Sequence, residues 1–160
     1  MAKKKVILVI FGEGGHQKEM ELLLSTLPTN VAYSFISMGP NESNKTTLQH
    51  YFCNDVRDKK SHIKSLYYMI VGLFSLLFLT LSAMKKYSIQ GAISTGPGIA
   101  IVPFIVLRIM GIKTVFIESF CRFNTQSMAG RILYRISHRF LVQNKQLLKL
   151  YPNAEYCGRL

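Results

Sequence analysis

Val6-Ile7-Leu8-Val9-Ile10-Phe11-Gly12-Glu13-Gly14-Gly15-His16 is the stretch that decides the fold. Its first five residues form an unbroken apolar run, the pattern of a strand covered on both faces. Glycines follow at once, and residues 17–27 continue as an amphipathic helical pattern. A strand that runs through glycines into a helix is how α/β proteins build an anion site. The glycines let the backbone approach a ligand, and the N–H groups of the first helical turn point at it. His16 adds an imidazole at the mouth of that turn. A phosphate-bearing ligand on a Rossmann-like sheet is the expectation. The spacing is not Gly-x-Gly-x-x-Gly, and no Gly-Lys-Ser/Thr follows, so neither the dinucleotide fingerprint nor the P-loop is met.

Outward from this segment, apolar runs alternate with helical patterns. Strands are expected over 6–11, 31–38, 90–94, 113–117 and 139–142, with a short one within 49–56. Helices are expected over 17–27, 61–86, 99–110 and 128–137, and a polar loop over 39–45. The alternation predicts one α/β domain over 1–160, a parallel sheet with helices on both faces. Ligands of such sheets sit beyond the carboxyl ends of the strands. Here those ends are Gly12–His16, Ser94-Thr95-Gly96-Pro97-Gly98 and Glu118-Ser119-Phe120-Cys121-Arg122, which a parallel sheet brings to one edge.

A chain of 160 residues suffices for one domain with a real core and not for two. Its 20 Lys and Arg against 8 Asp and Glu give a net charge of +12, which favours a polyanion: nucleic acid, anionic lipid or a phosphorylated ligand. The aromatic residues sit in apolar runs and do not interleave with basic ones, which speaks against a nucleic-acid-binding module. A small stand-alone reductase is disfavoured by the missing glycine fingerprint and by strand 2 ending Ile36-Ser37-Met38-Gly39 with no acidic residue. Cys53, Cys121 and Cys157 are widely spaced, with neither a zinc pattern nor a disulfide framework, and His50, His62 and His138 show no ligand spacing. No metal and no cofactor are expected. The apolar start of the chain is read as a first strand and not a signal peptide.

Residues 66–84 carry no charge and, as a helix, extend roughly 28 Å, near the thickness of a bilayer's hydrocarbon. A span here would leave strands 1–3 and strands 4–6 on opposite sides of the membrane, so the sheet could not form. Arg57, Lys59, Lys60 and Lys64 precede the stretch, and Lys85 and Lys86 follow it. Basic flanks at both ends suit a helix lying in an anionic interface. Leu66, Tyr67, Ile70, Phe74, Leu77 and Leu81 make one stripe, and Met69, Leu73, Leu76 and Leu79 fill much of the rest. That excess over what a sheet covers points to membrane contact by Leu73, Leu76 and Leu79, with contact to a protein partner or burial in the core as the other readings.

The order of motifs resembles a known family. It runs from strand and Gly-Gly-His through a long basic-flanked helix to Ser-Thr-Gly-Pro-Gly and Ile117-Glu118-Ser119-Phe120-Cys121-Arg122, then Phe-Leu-Val-Gln and a final Tyr-Cys-Gly. This is similar to the membrane-associated subunit of the two-part UDP-N-acetylglucosamine transferase of dolichol-linked oligosaccharide synthesis. It looks closer to the bacterial relatives in capsule and exopolysaccharide clusters, which share the lack of a hydrophobic anchor before strand 1. The resemblance implies the acceptor-side, N-terminal half of a GT-B glycosyltransferase, with the nucleotide-sugar half on a second polypeptide and no bound metal. It implies a lipid-diphosphate-linked acceptor, a UDP-sugar reached through the complex, and peripheral attachment at the cytoplasmic face of the membrane. On that reading Gly14 and Gly15 present N–H groups to a diphosphate, and His16 binds phosphate or acts as a base. Ser94, Thr95, Gly96 and Gly98 offer a second loop with hydroxyls for sugar or phosphate oxygens, and Arg122 contacts phosphate. Glu118 is read as a proton acceptor or sugar ligand, or else as the ion-pair partner of Arg122 four residues on. The terminal Tyr156, Cys157 and Gly158 are implied to meet the partner subunit.

Overall fold

The computed structural model describes residues 3–28, 33–41, 47–53 and 62–159, with the side chains of 62–70 left out. Expectations for residues 31–32, 42–45 and 54–61, and for the side chains of Leu66, Tyr67, Met69 and Ile70, lie outside the described residues.

Among the described residues, seven strands form one sheet in the order β3-β2-β1-β4-β5-β6-β7. They are β1 (Lys5–Ile10), β2 (Ser34–Gly39), β3 (Thr47–Phe52), β4 (Ser88–Ser94), β5 (Lys113–Ile117), β6 (Arg139–Val142) and β7 (Glu155–Tyr156). Every pairing is parallel. The helices are α1 (Gly15–Thr26), α2 (His62–Lys86), α3 (Ile101–Ile109) and α4 (Met128–Ile136). The strand order reverses direction at β1, which lies between β2 and β4. Crevices for ligands open at such a reversal, where neighbouring connections leave to opposite faces.

The two faces of β1 show why its run is continuous. Val6, Leu8 and Ile10 enter the larger core with Leu76, Phe104, Leu107, Phe116, Leu133 and Phe140, supplied by α2, α3, α4 and the central strands. Val9 and Phe11 enter a smaller core with Met20, Leu23 and Leu24 of α1. Successive strand residues alternate between faces, so a central strand covered twice cannot afford polar positions.

Helix α2 corrects the sequence reading of its faces. Leu76 is 1% exposed and lies in the core with Ala83, and Leu79 is half-buried against them. Thr80 sits between them, its hydroxyl donating to the Leu76 carbonyl at 2.7 Å. The outward stripe is Val71, Phe74, Phe78 and Leu81, with Leu73 beside it, and Phe74 and Phe78 are 68% and 71% exposed. The sheet takes the side with Thr80 and Ala83, where small side chains allow close approach. Bulk goes outward, which a uniformly apolar sequence does not disclose. On the neighbouring α3, Ile105, Ile109 and Met110 are exposed as well. Among the described residues no helix is long and apolar enough to cross a membrane.

Candidate functional site

The carboxyl ends of β1, β4 and β5 meet at one edge. Helix α1 opens at Gly14, whose φ of 65° turns the chain from strand into helix and which supplies no side-chain cap. A Cβ at Gly14, Gly15 or Gly98 would meet nothing within 4 Å, so both turns border open space. The uncapped first turn leaves N–H groups directed there.

His16 is fastened across this opening to the β4 turn. Its Nδ1 donates to the Thr95 carbonyl at 2.8 Å, and the Thr95 hydroxyl donates back to the His16 carbonyl at 2.9 Å. A carbonyl oxygen only accepts, so Nδ1 carries the hydrogen and the neutral ring keeps its lone pair on Nε2. Gly96 makes the approach possible. Its φ is 110°, and a Cβ there would collide with Cε1 and Nδ1 of His16.

The hydroxyls of Ser94 and Thr95 are not presented to a ligand, contrary to the sequence reading. Both residues are fully buried; Ser94 Oγ donates to the Gly96 carbonyl at 2.7 Å, and Thr95 serves His16. Tight turns after parallel strands leave carbonyls without ladder partners, and these hydroxyls satisfy them.

Glu118 is also turned away from the opening. It is 1% exposed, and its Oε2 accepts from the Tyr151 hydroxyl at 2.8 Å and from Ser127 Oγ at 3.0 Å. Its Oε1 accepts from the Ser119 N–H at 3.2 Å. With both oxygens engaged, the carboxylate anchors the β5 turn to the start of α4, where Ser127 caps the helix through the Gly130 N–H at 2.7 Å. The ion pair with Arg122 does not form either: Arg122 is exposed, and its guanidinium donates to Thr125 Oγ1 at 3.3 Å. Burial and the Glu118 carboxylate together raise the Tyr151 phenol far above its ordinary range, so it stays a donor.

One acidic residue that the sequence reading passed over stands in the site. Glu19, on the first turns of α1, is 2% exposed, and its Oε1 accepts from Ser119 Oγ at 2.6 Å and from the Phe120 N–H at 3.2 Å. Burial raises its carboxyl above the usual range, opposed by the Ser119 hydrogen bond, the charge of His16 and the Phe120 N–H. The available signal was its place beside Met20 on the inward face of an amphipathic helix, one turn after His16. Just after β6, Gln143 donates to the Glu118 carbonyl at 3.2 Å and Asn144 to the Phe120 carbonyl at 2.9 Å. The Phe-Leu-Val-Gln motif therefore steadies the β5 turn.

The C-terminal segment runs along the outer edge. Cys157 N–H donates to the Val142 carbonyl at 3.1 Å, Lys145 lies over the Tyr156 ring at 5.3 Å, and Arg159 over the Phe120 ring at 5.2 Å. Tyr156 and Cys157 are exposed and Gly158 half-buried. Among the described residues no cluster of three or more His, Cys, Asp or Glu could hold a metal.

The chain is similar to known proteins in sequence and in fold. Residues 7–160 match the family model described as oligosaccharide biosynthesis protein Alg14 like. The human UDP-N-acetylglucosamine transferase subunit ALG14 is 27% identical over 179 residues, covering 96% of this chain and 82% of that protein. The subunit of the same name from Candida albicans is 30% identical, covering 99% and 81%. Among solved structures, Acinetobacter baumannii MurG superposes with a TM-score of 0.60 at 13% identity, over 87% of this chain and 41% of its own. The chain thus spans less than half of that structure, and the match is one of fold: the sheet corresponds to the N-terminal half of the GT-B architecture.

Proposed function

The chain belongs to the Alg14-like family of oligosaccharide biosynthesis proteins, and from that membership we propose that it is the acceptor-side subunit of a two-component UDP-N-acetylglucosamine transferase. The carrying observation is His16, held through Nδ1 on the Thr95 carbonyl at an uncapped helix start, where the strand order reverses. The acceptor's diphosphate lies on the N–H groups of Gly14, Gly15 and the first turn of α1. The dipole of the helix and the net charge of +12 favour that anion. Arg122, exposed at the third strand end, is free to reach a phosphate oxygen. His16 Nε2 takes the proton from the attacking acceptor hydroxyl as the sugar–phosphate bond breaks. The nucleotide-sugar is held by the partner subunit, which closes the cleft over this edge and meets the β7 side at Tyr156, Cys157 and Gly158.

The exposed apolar band of α2 and α3 rests in the membrane interface, with Phe74, Phe78 and Ile109 inserted and Lys85 and Arg108 beside the head groups. This carries the membrane reading in place of Leu76. The proposal extends to the cytoplasmic side and to a capsule or exopolysaccharide product; it follows the resemblance of the whole order of motifs, of which Ile117–Arg122 is the most specific piece.

Kinetics of the reconstituted two-subunit enzyme test the site. His16→Ala is expected to lower kcat by about 10²–10⁴ while partner binding survives. A loss confined to the acceptor KM would assign His16 to phosphate binding, and unchanged kcat and KM would place the reacting centre elsewhere.

A further inference from the structure

Among the described residues, one buried carboxylate oxygen has no hydrogen-bond partner: Glu19 Oε2. The other oxygen accounts for both donors from the β5 turn, Ser119 Oγ and the Phe120 N–H. Leaving half of a buried carboxylate unsatisfied is costly, so its retention at this position calls for a reason. His16 stands three residues earlier on the same helix, where side chains share a face. Its Nδ1 is committed to Thr95, so any proton it gains goes to Nε2.

We propose that Glu19 is a positioning residue for His16: it fastens the turn of α1 that carries His16 to the Ser119–Phe120 turn, and the charge on its unpartnered oxygen sets how readily His16 takes up a proton. The catalytic meaning of this coupling rests on the reading of His16 given above; the coupling itself does not.

The groups facing Glu19 fix the sign. His16 from its own helix, with the Ser119 hydroxyl and the Phe120 N–H from the β5 turn, favour the carboxylate; burial and Glu118 oppose it. Burial is the largest of these, so the carboxyl holds its proton to a higher pH than an exposed one. A negative charge near an imidazole favours its protonated form, and a neutral residue in place of Glu19 removes that support.

The experiment follows the His16 imidazole by ¹H–¹⁵N NMR through a pH titration of the full chain, with His16→Ala identifying the signal. Glu19→Gln keeps an oxygen for the Ser119 hydroxyl and the Phe120 N–H, removes the charge and places an amide NH2 where Oε2 stood. It is expected to lower the His16 midpoint. Ser119→Ala removes a donor that favours the carboxylate, so it is expected to shift the midpoint the same way by less. An unchanged midpoint in folded Glu19→Gln overturns the proposal, and if that variant fails to fold, an unchanged midpoint in Ser119→Ala does so. In the reconstituted enzyme the acid limb of kcat/KM is expected to move with the midpoint. A midpoint that moves while the acid limb stays in place upholds the coupling and contradicts His16 as the base.

Discussion

At the residue scale the site is set by which carboxylates are committed and which ring nitrogen is left over. Glu118 spends both oxygens on Ser119, Ser127 and Tyr151, whereas Glu19 keeps one in reserve. Glu118→Gln turns an acceptor into a donor against the Tyr151 and Ser127 hydroxyls, and should cost about 1–3 kcal/mol in stability. Thermal unfolding should show this at roughly 2–4 °C per kcal/mol for a chain of this size. The reconstituted enzyme should keep its kcat; a normal Tm with a collapsed kcat would return Glu118 to the chemistry. The position of His16 at the start of α1 was legible because a strand, a glycine turn and a helix lie together in the sequence. The roles of Glu19 and Glu118 were not, because they depend on Ser119, 100 residues from Glu19, and on Tyr151, 33 residues from Glu118. The hydroxyls of Ser94 and Thr95 were misread for the same reason: their acceptors are turn carbonyls that only the folded backbone brings within reach.

At the scale of elements, α2 separates two properties that its sequence merges. Burial of one side and exposure of the other follow from Thr80 and Ala83 against the sheet and Phe74 and Phe78 away from it. Replacing Phe74 and Phe78 together with Ser should release the protein from anionic vesicles in a flotation assay and leave its unfolding transition in place. Leu76→Ala should do the reverse, losing about 2–5 kcal/mol through a core cavity while vesicle binding persists. Vesicle binding that survives loss of both phenylalanines would remove the membrane assignment from this face. The principal strands and the four helices were legible from period and punctuation, and 113–117 and 139–142 came out with the expected bounds. Strand β7 was missed because two residues carry no period, and its pairing with β6 is decided by the fold. The helical turn at Lys145–Lys149 escaped for a like reason, being too short to show a stripe.

For the molecule as a whole, three strand-end motifs were expected on one edge, and the parallel sheet brings them there, with His16 joined to Thr95 and Glu19 to Ser119 and Phe120. What remained hidden is how that edge is closed, because a cleft between two domains cannot be read from one of them. The sheet matches the N-terminal half of a GT-B enzyme, and the chain spans 41% of MurG; the proposed function assigns the nucleotide-sugar half to a second subunit. The most direct measurement is transfer of N-acetylglucosamine from the UDP-sugar to a lipid-diphosphate-linked acceptor in vesicles, by this chain, by its nucleotide-sugar-binding partner, and by both together. Sustained turnover is expected only from the pair, with His16→Ala in the pair falling toward the level of the partner alone. Full turnover by the partner without this chain, or by this chain without a partner, would contradict that expectation.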